Sequence, residues 1–324
     1  MLEILNITFP FFGLVLCGFW AVHKQFLAVD SIPSLNGFVL FFALPCMLYK
    51  FGSSIPLLQL LDVGVLVAYS VSALLIVLIS IFLTVNQRIS WNDRAFRSLV
   101  SAFPNTGFMG VPLLVALLGP LSSGPAIVTI IVDLVATSSL CIALSRVDNI
   151  GACRSYQAGK QALAGVLINP LPWAVLLGAL SSGFEFQLPQ PMMKVVSMLA
   201  DAASPVALFT IGAVLARSKI LMKVEKGSEI VMKDVLPSVL IKLFLHPILI
   251  FVIGSALIQI GLPLDKAALT VIVLVAALPS ASNVSLLAER FQADTSVIAR
   301  IIMISTTFSC VTFPIFAWLV FQNY

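Results

Sequence analysis

Two proline-centred strings carry most of the chemistry this chain can do. They are Ala102-Phe103-Pro104-Asn105-Thr106 and Ala277-Leu278-Pro279-Ser280-Ala281, offset by 175 residues (Ala102 to Ala277) and each set inside a long apolar segment. A proline in such a segment removes a backbone donor and breaks the helix, and the freed groups must then face protein or a watery cavity rather than lipid. The first string runs on as Gly107-Phe108-Met109-Gly110-Val111-Pro112. A half-helix restarting near Gly110 is expected to present free N–H groups and a positive dipole end, an anion cradle without fixed charge. Asn105 and Thr106 add side-chain donors and acceptors at the same depth. The second string runs on as Ser282-Asn283-Val284-Ser285, where the Asn283 amide needs partners for both its donor and its acceptor. Pro104, Asn105, Thr106, Gly107, Gly110, Pro279, Ser280, Ser282 and Asn283 are thus the expected substrate-binding residues. The alternative is a pair of structural kinks with no ligand.

Four ionisable residues form a second set of candidates for coupling or charge. Asp133 lies deep in an apolar segment, where a carboxylate costs about 2.5–3.5 kcal/mol on insertion scales unless paired, protonated or bound to a cation. It can serve cation or proton coupling, or a structural pairing. Lys242 and His246 are four apart and share a helix face, which allows a cationic spot for an anion; the alternative is that Lys242 snorkels to the membrane surface or serves helix packing. Arg300 opens the last apolar segment, as an interfacial anchor or a substrate clamp, and Asp62 is placed among headgroups. Two histidines in all, and five cysteines without paired spacing (Cys17, Cys46, Cys141, Cys153, Cys310), give no metal site and no disulfide framework. No catalytic residue and no cofactor is expected; a proton or sodium ion is the candidate coupling ion.

These residues need a membrane scaffold to hold them. The 324 residues are 60% hydrophobic and only 10% charged, with a mean hydropathy of +1.10, far from the ~25% charge of soluble domains. Apolar runs predict ten spans, at roughly 4–22, 33–50, 63–85, 98–118, 123–145, 161–182, 191–216, 235–260, 267–288 and 297–321. With the N-terminus outside, the cytoplasmic loops hold fourteen Lys and Arg: Lys24, Arg88, Arg94, Arg97, Arg146, Arg154, Lys160, Arg217, Lys219, Lys223, Lys226, Lys233, Arg290 and Arg300. Only Lys50, Lys194 and Lys266 fall on the other side, so both termini are expected to be extracytoplasmic, in the inner (plasma) membrane. The net charge of +4 is then a topology signal, not a nucleic-acid footprint.

A second internal match joins Ala43-Leu44-Pro45 in span 2 to Ala203-Ser204-Pro205 in span 7. Spans 1–5 then repeat as spans 6–10, and because five is odd the second copy enters from the opposite face. The expected fold is an all-α polytopic membrane protein of ten helices, two inverted five-helix repeats with broken crossover helices 4 and 9. Residues 1–145 form the first repeat, 146–160 a cytoplasmic connecting loop and 161–324 the second. Transporters commonly place substrate at the interface of such repeats.

The string Asn105-Thr106-Gly107-Phe108-Met109-Gly110-Val111-Pro112 resembles the Asn-x-Gly-Phe-x-Gly-x-Pro signature of the auxin efflux carrier family. Ala43-Leu44-Pro45, Asn169-Pro170 and Ser204-Pro205-Val206-Ala207-Leu208-Phe209 are similar to its other short motifs, in order along nearly the whole chain. The resemblance implies helices 4 and 9 unwound and crossing at the substrate site. It also implies a scaffold of helices 1, 2, 6 and 7 beside a transport domain of helices 3–5 and 8–10, a homodimer through helices 2 and 7, and a carboxylate near Asp62. It implies an organic anion as substrate: auxin in plants, malonate or malate in several bacterial members. The short 146–160 loop resembles the bacterial type.

The expected function is therefore secondary-active or potential-driven transport of small malonate- or malate-like carboxylates by alternating access. A sensor built on a carrier fold is the alternative, and an intramembrane enzyme a more distant one. No H-E-x-x-H and no phosphate-binding G-x-x-x-x-G-K-[ST] occurs, and the carboxylates within spans are too isolated to form a catalytic dyad.

Overall fold

The computed structural model describes residues 1–55, 62–84, 89–146, 170–224 and 232–322. Arg88, Cys153, Arg154, Lys160, Asn169, Lys226, the connecting loop beyond Arg146 and the start of the sixth expected span lie outside the described residues. In chain order the helices are α1 (Leu2–His23), α2 (Val29–Ser54), α3 (Val63–Leu83), α4 (Trp91–Ala102), α5 (Thr106–Leu118) and α6 (Pro120–Leu144). They continue as α7 (Pro170–Gly183), α8 (Gln190–Val224), α9 (Asp234–Gln259), α10 (Lys266–Ala276), α11 (Asn283–Arg290) and α12 (Thr295–Gln322). Seven of these are long and apolar enough to cross a bilayer, and α5 and α10 are shorter apolar pieces. No strand occurs among the described residues; an isolated antiparallel bridge joins Pro104 to Ser280. The helix α8 runs to Val224, eight residues beyond the end of the seventh expected span, so part of the expected 217–234 loop is helical.

The chain divides into two compact units, each assembled from separated segments. One comprises the described residues of 1–62, 106–128 and 169–228, and so holds α1, α2, α5, the start of α6, α7 and α8. Its helices approach through glycine. A Cβ on Gly18 of α1 would sit 1.8 Å from the Phe209 carbonyl oxygen of α8, and one on Gly212 of α8 would sit 1.9 Å from that of Val15. Small residues at such crossings let helix backbones touch, which is how helices associate in lipid without a hydrophobic driving force. Polar ties add to this: Lys50 Nζ pairs with Asp201 Oδ1 at 2.9 Å, and Tyr49 Oη meets Ser181 Oγ at 3.0 Å.

The other unit comprises the described residues of 63–105, 129–168 and 229–324, and holds α3, α4, the rest of α6 and α9–α12. Its centre is made of the two half-helices that lead into the breaks. Every residue of α4 from Ala95 to Ala102 is buried, as is every residue of α10 from Ala268 to Ala276. Ser90 starts α4 as an N-cap, its Oγ accepting from the Asp93 N–H at 3.1 Å. The same end of α4 holds the far end of α11: Asn92 Nδ2 donates to the Phe291 carbonyl at 3.0 Å, and Asp93 Oδ1 accepts from the Asp294 N–H at 2.7 Å.

Among the described residues, four π-helical turns interrupt the helices, at Val39–Ala43, Thr106–Gly110, Val132–Thr137 and Ile241–Leu245. Such one-turn widenings free backbone groups locally and are frequent at functional sites. Three of the four contain residues singled out by the sequence: Thr106, Gly107 and Gly110 in the second, Asp133 in the third, Lys242 in the fourth.

Candidate functional site

The two breaks meet. After Ala102 the chain becomes extended at Phe103 (φ −95°, ψ 103°), as the residue before a proline favours. Asn105 N–H donates to the Pro279 carbonyl at 2.8 Å, and Ala281 N–H donates to the Phe103 carbonyl at 3.0 Å. This reciprocal pair is the Pro104–Ser280 bridge. The Ser280 N–H between them donates to Ser305 Oγ of α12 at 3.2 Å. Three backbone donors at the crossing are therefore paired within the protein. Proline explains the pattern: at 104 and 279 it stops each helix without bringing a donor of its own, so the neighbouring groups pair across the crossing.

The side chains are in a different state. Asn105 and Ser280 are buried, and Asn283 and Ser282, at the start of α11, are half-buried. Ser280 Oγ and Asn283 Oδ1 are sealed from solvent with no hydrogen-bond partner. Buried polar atoms are nearly always satisfied, so two such atoms on one short stretch of chain leave hydrogen-bonding capacity unused at the crossing. In the other unit Thr106 Oγ1, at the start of α5, is likewise buried without a partner. That helix resumes at Thr106 itself, as a π turn through Gly110, four residues before the restart expected near Gly110. Gly107 packs against Leu44 at ordinary contact distance.

Asp133, Lys242 and His246 form a separate, fully buried group. Asp133 Oδ2 accepts from Tyr69 Oη at 2.7 Å, and Oδ1 accepts from Thr137 Oγ1 at 3.2 Å. Lys242 Nζ donates to the Ala276 carbonyl, the last of α10, at 2.8 Å, and meets His246 Nδ1 at 3.0 Å. The ring of Tyr69 lies 6.1 Å from that of His246. Rather than snorkelling, Lys242 thus turns inward to hold the end of α10, the helix-packing form of the alternative: the freed carbonyl before the break takes its ammonium. Arg300 sits part-buried on α12, and Asp62 is part-exposed before α3.

The membrane transport protein family matches the chain over residues 4–149 and 154–317. The chain belongs to that family. It is the auxin efflux carrier family whose motifs the sequence resembles. Among relatives, a "Putative malonate transporter" of Rhizobium meliloti is 25% identical over 317 residues, covering 96% of this chain and 94% of that protein. The "Uncharacterized transporter YfdV" of Escherichia coli K12 is 24% identical over 321 residues, covering 95% of each. Membership makes the chain a multi-pass membrane transport protein, in keeping with its seven long apolar helices.

Two partners within this transporter are missed by sequence reasoning. Tyr69 is one aromatic among the residues of span 3, though it is the only hydroxylated ring in that run and the carboxylate of span 5 needs a donor. Ser305 belongs to a polar cluster, Ser305-Thr306-Thr307 with Ser309, whose density in an apolar span is the available signal.

Proposed function

We propose that this protein carries small organic dicarboxylates of the malonate or malate kind across the membrane by alternating access, with the crossing of the two breaks as substrate site. One observation carries the reading: crossed half-helices whose backbone is mutually satisfied while buried side-chain atoms of Ser280 and Asn283 remain without partners. A carboxylate would accept from the Ser280 hydroxyl and, with the amide turned so that its NH2 faces the site, from Asn283. Asn105 supplies a second amide on the facing strand. The similarity to a relative named as a malonate transporter supports the same substrate class.

Ten crossings follow if α4 with α5, and α10 with α11, each make one broken span and α7 makes another; this is the inverted-repeat reading. A membrane potential moves an anion with about 2.3 kcal/mol per charge per 100 mV, enough for transport without a coupling ion. The two hydroxyl donors already on Asp133 support a structural role for that carboxylate rather than ion coupling.

The test is flux of radiolabelled malonate and malate into proteoliposomes under an imposed potential, with and without sodium or proton gradients. Asn105→Ala and Asn283→Ala should each weaken substrate affinity by about tenfold, the loss typical of one hydrogen bond to a charged group. Normal affinity in both variants would remove the crossing as the site. Binding without flux under any gradient would favour the sensor reading.

A further inference from the structure

Among the described basic residues whose sequence positions set the orientation, Arg97 stands apart because it is buried. It sits midway along α4, 7% exposed, in a helix otherwise buried from Ala95 onward. Its Nη1 donates at 2.9 Å to the backbone carbonyl of Asp234 on α9, not to the carboxylate, which belongs to an exposed residue. Its Nε is sealed from solvent without a partner. The acidic neighbour one turn earlier, Asp93, is engaged elsewhere: Oδ1 by the Asp294 N–H and Oδ2 by the Ser90 hydroxyl. A guanidinium carries five donors and cannot shed its charge, so a buried one with a single carbonyl partner is left uncompensated at considerable cost. The buried Lys242 ammonium, by contrast, holds two partners, a carbonyl and a ring nitrogen.

A second orphan lies on the facing helix. Ser238 is completely buried, and its Oγ has no partner. It stands one helical turn, about 6 Å, beyond the Asp234 carbonyl that Arg97 grips, on the part of α9 against which α4 packs. A cation with no carboxylate among the described residues and an unpaired hydroxyl, on two helices that pack together, offer the donors that a carboxylate takes.

We propose that Arg97 and Ser238 form a second anion subsite, where a carboxylate of the transported acid pauses on its way to or from the crossing. Five residues of helix, about 7.5 Å of rise, separate Arg97 from the end of α4 at Ala102, too far for one malonate to occupy both places. The subsite is thus a relay, on the side of the membrane to which the α4 N-terminus opens. It rests on the carrier reading above for its ligand class, but not on the crossing for its binding.

Equilibrium binding of radiolabelled malonate to the purified full-length protein, combined with flux, tests it. The double variant Asn105→Ala/Asn283→Ala strips both amides from the crossing, a loss of about a hundredfold in affinity there if the two effects add. It should lose measurable flux while leaving a weaker binding site. Adding Arg97→Gln to that variant should remove the remaining binding, by about tenfold or more, since a charge-assisted contact is lost. Arg97→Lys in the same background should retain it, and Ser238→Ala should weaken it by about threefold, a neutral hydrogen bond's share. Residual binding that Arg97→Gln leaves unchanged, or no residual binding in the double variant, would overturn the subsite. Normal flux in the double variant would instead sink the crossing, a separate result. If Arg97→Gln fails to fold, the Lys and Ser238 variants still decide the matter.

Discussion

The crossing and the Asp133–Lys242 group are both buried, both polar and both in the same unit, but they are finished to different degrees. At the crossing the backbone is paired and side-chain atoms of Ser280 and Asn283 are not. In the Asp133–Lys242 group the carboxylate takes two hydroxyl donors and the ammonium takes a carbonyl and a ring nitrogen. Only the outer His246 Nε2 is left over. A polar group that satisfies itself stabilises one conformation, whereas one that leaves partners missing keeps the capacity to bind. On the proposed reading the contrast divides framework from substrate site within a few helical turns, because Lys242 bonds the last carbonyl of α10 and the crossing begins three residues later at Pro279.

Breaking the framework should have the largest effect. Asp133→Ala leaves the buried Tyr69 and Thr137 hydroxyls without their acceptor, at about 1–3 kcal/mol for each group left unsatisfied. It also removes the carboxylate of the buried group that holds Lys242. The expected outcome is a large fall in thermal stability in detergent, with partial recovery when Lys242→Met is added. A double variant no better than Asp133→Ala would show the two charges to be independent. Tyr69→Phe removes one donor from the carboxylate and should cost about 1.5–3 kcal/mol in the same assay, the range for hydrogen bonds to charged groups. Equal stability of Tyr69→Phe and wild type would mean that the Tyr69 contact contributes nothing to holding Asp133.

One side of this contrast is legible in the sequence. The two breaks, and Asn105, Ser280 and Asn283 within them, follow from proline beside small polar residues in apolar runs, because a helix in lipid cannot leave backbone groups open. Pairing at a distance is not legible. Tyr69 and Asp133 are 64 residues apart, and nothing in local pattern links a tyrosine in one span to a carboxylate in another. The π turns at Val132–Thr137 and Ile241–Leu245 are equally hidden, since an i→i+5 turn leaves the apolar period almost untouched. Arg97 is misread for a simpler reason. A basic residue near a span boundary looks like a loop charge, and only the packing of α4 shows it to be interior.

The smallest structural effects are expected at the crossing itself, and they sharpen the comparison most. Ser305→Ala removes the acceptor of the Ser280 N–H, and side-chain hydrogen bonds between membrane helices average about 0.6 kcal/mol, with a ceiling near ~1.7. Its stability loss should lie in that range and below that of Tyr69→Phe. Ser280→Ala goes further. The hydroxyl it deletes has no partner in the protein, so no intramolecular bond is lost and a buried, unsatisfied group is removed. Stability measured by thermal unfolding without substrate should be unchanged or slightly raised, while malonate affinity in the flux assay should fall severalfold. These opposite signs are what a ligand-facing group produces and a structural one cannot. A Ser280→Ala protein that lost stability but kept its affinity would move the crossing into the framework, beside Asp133 and Lys242.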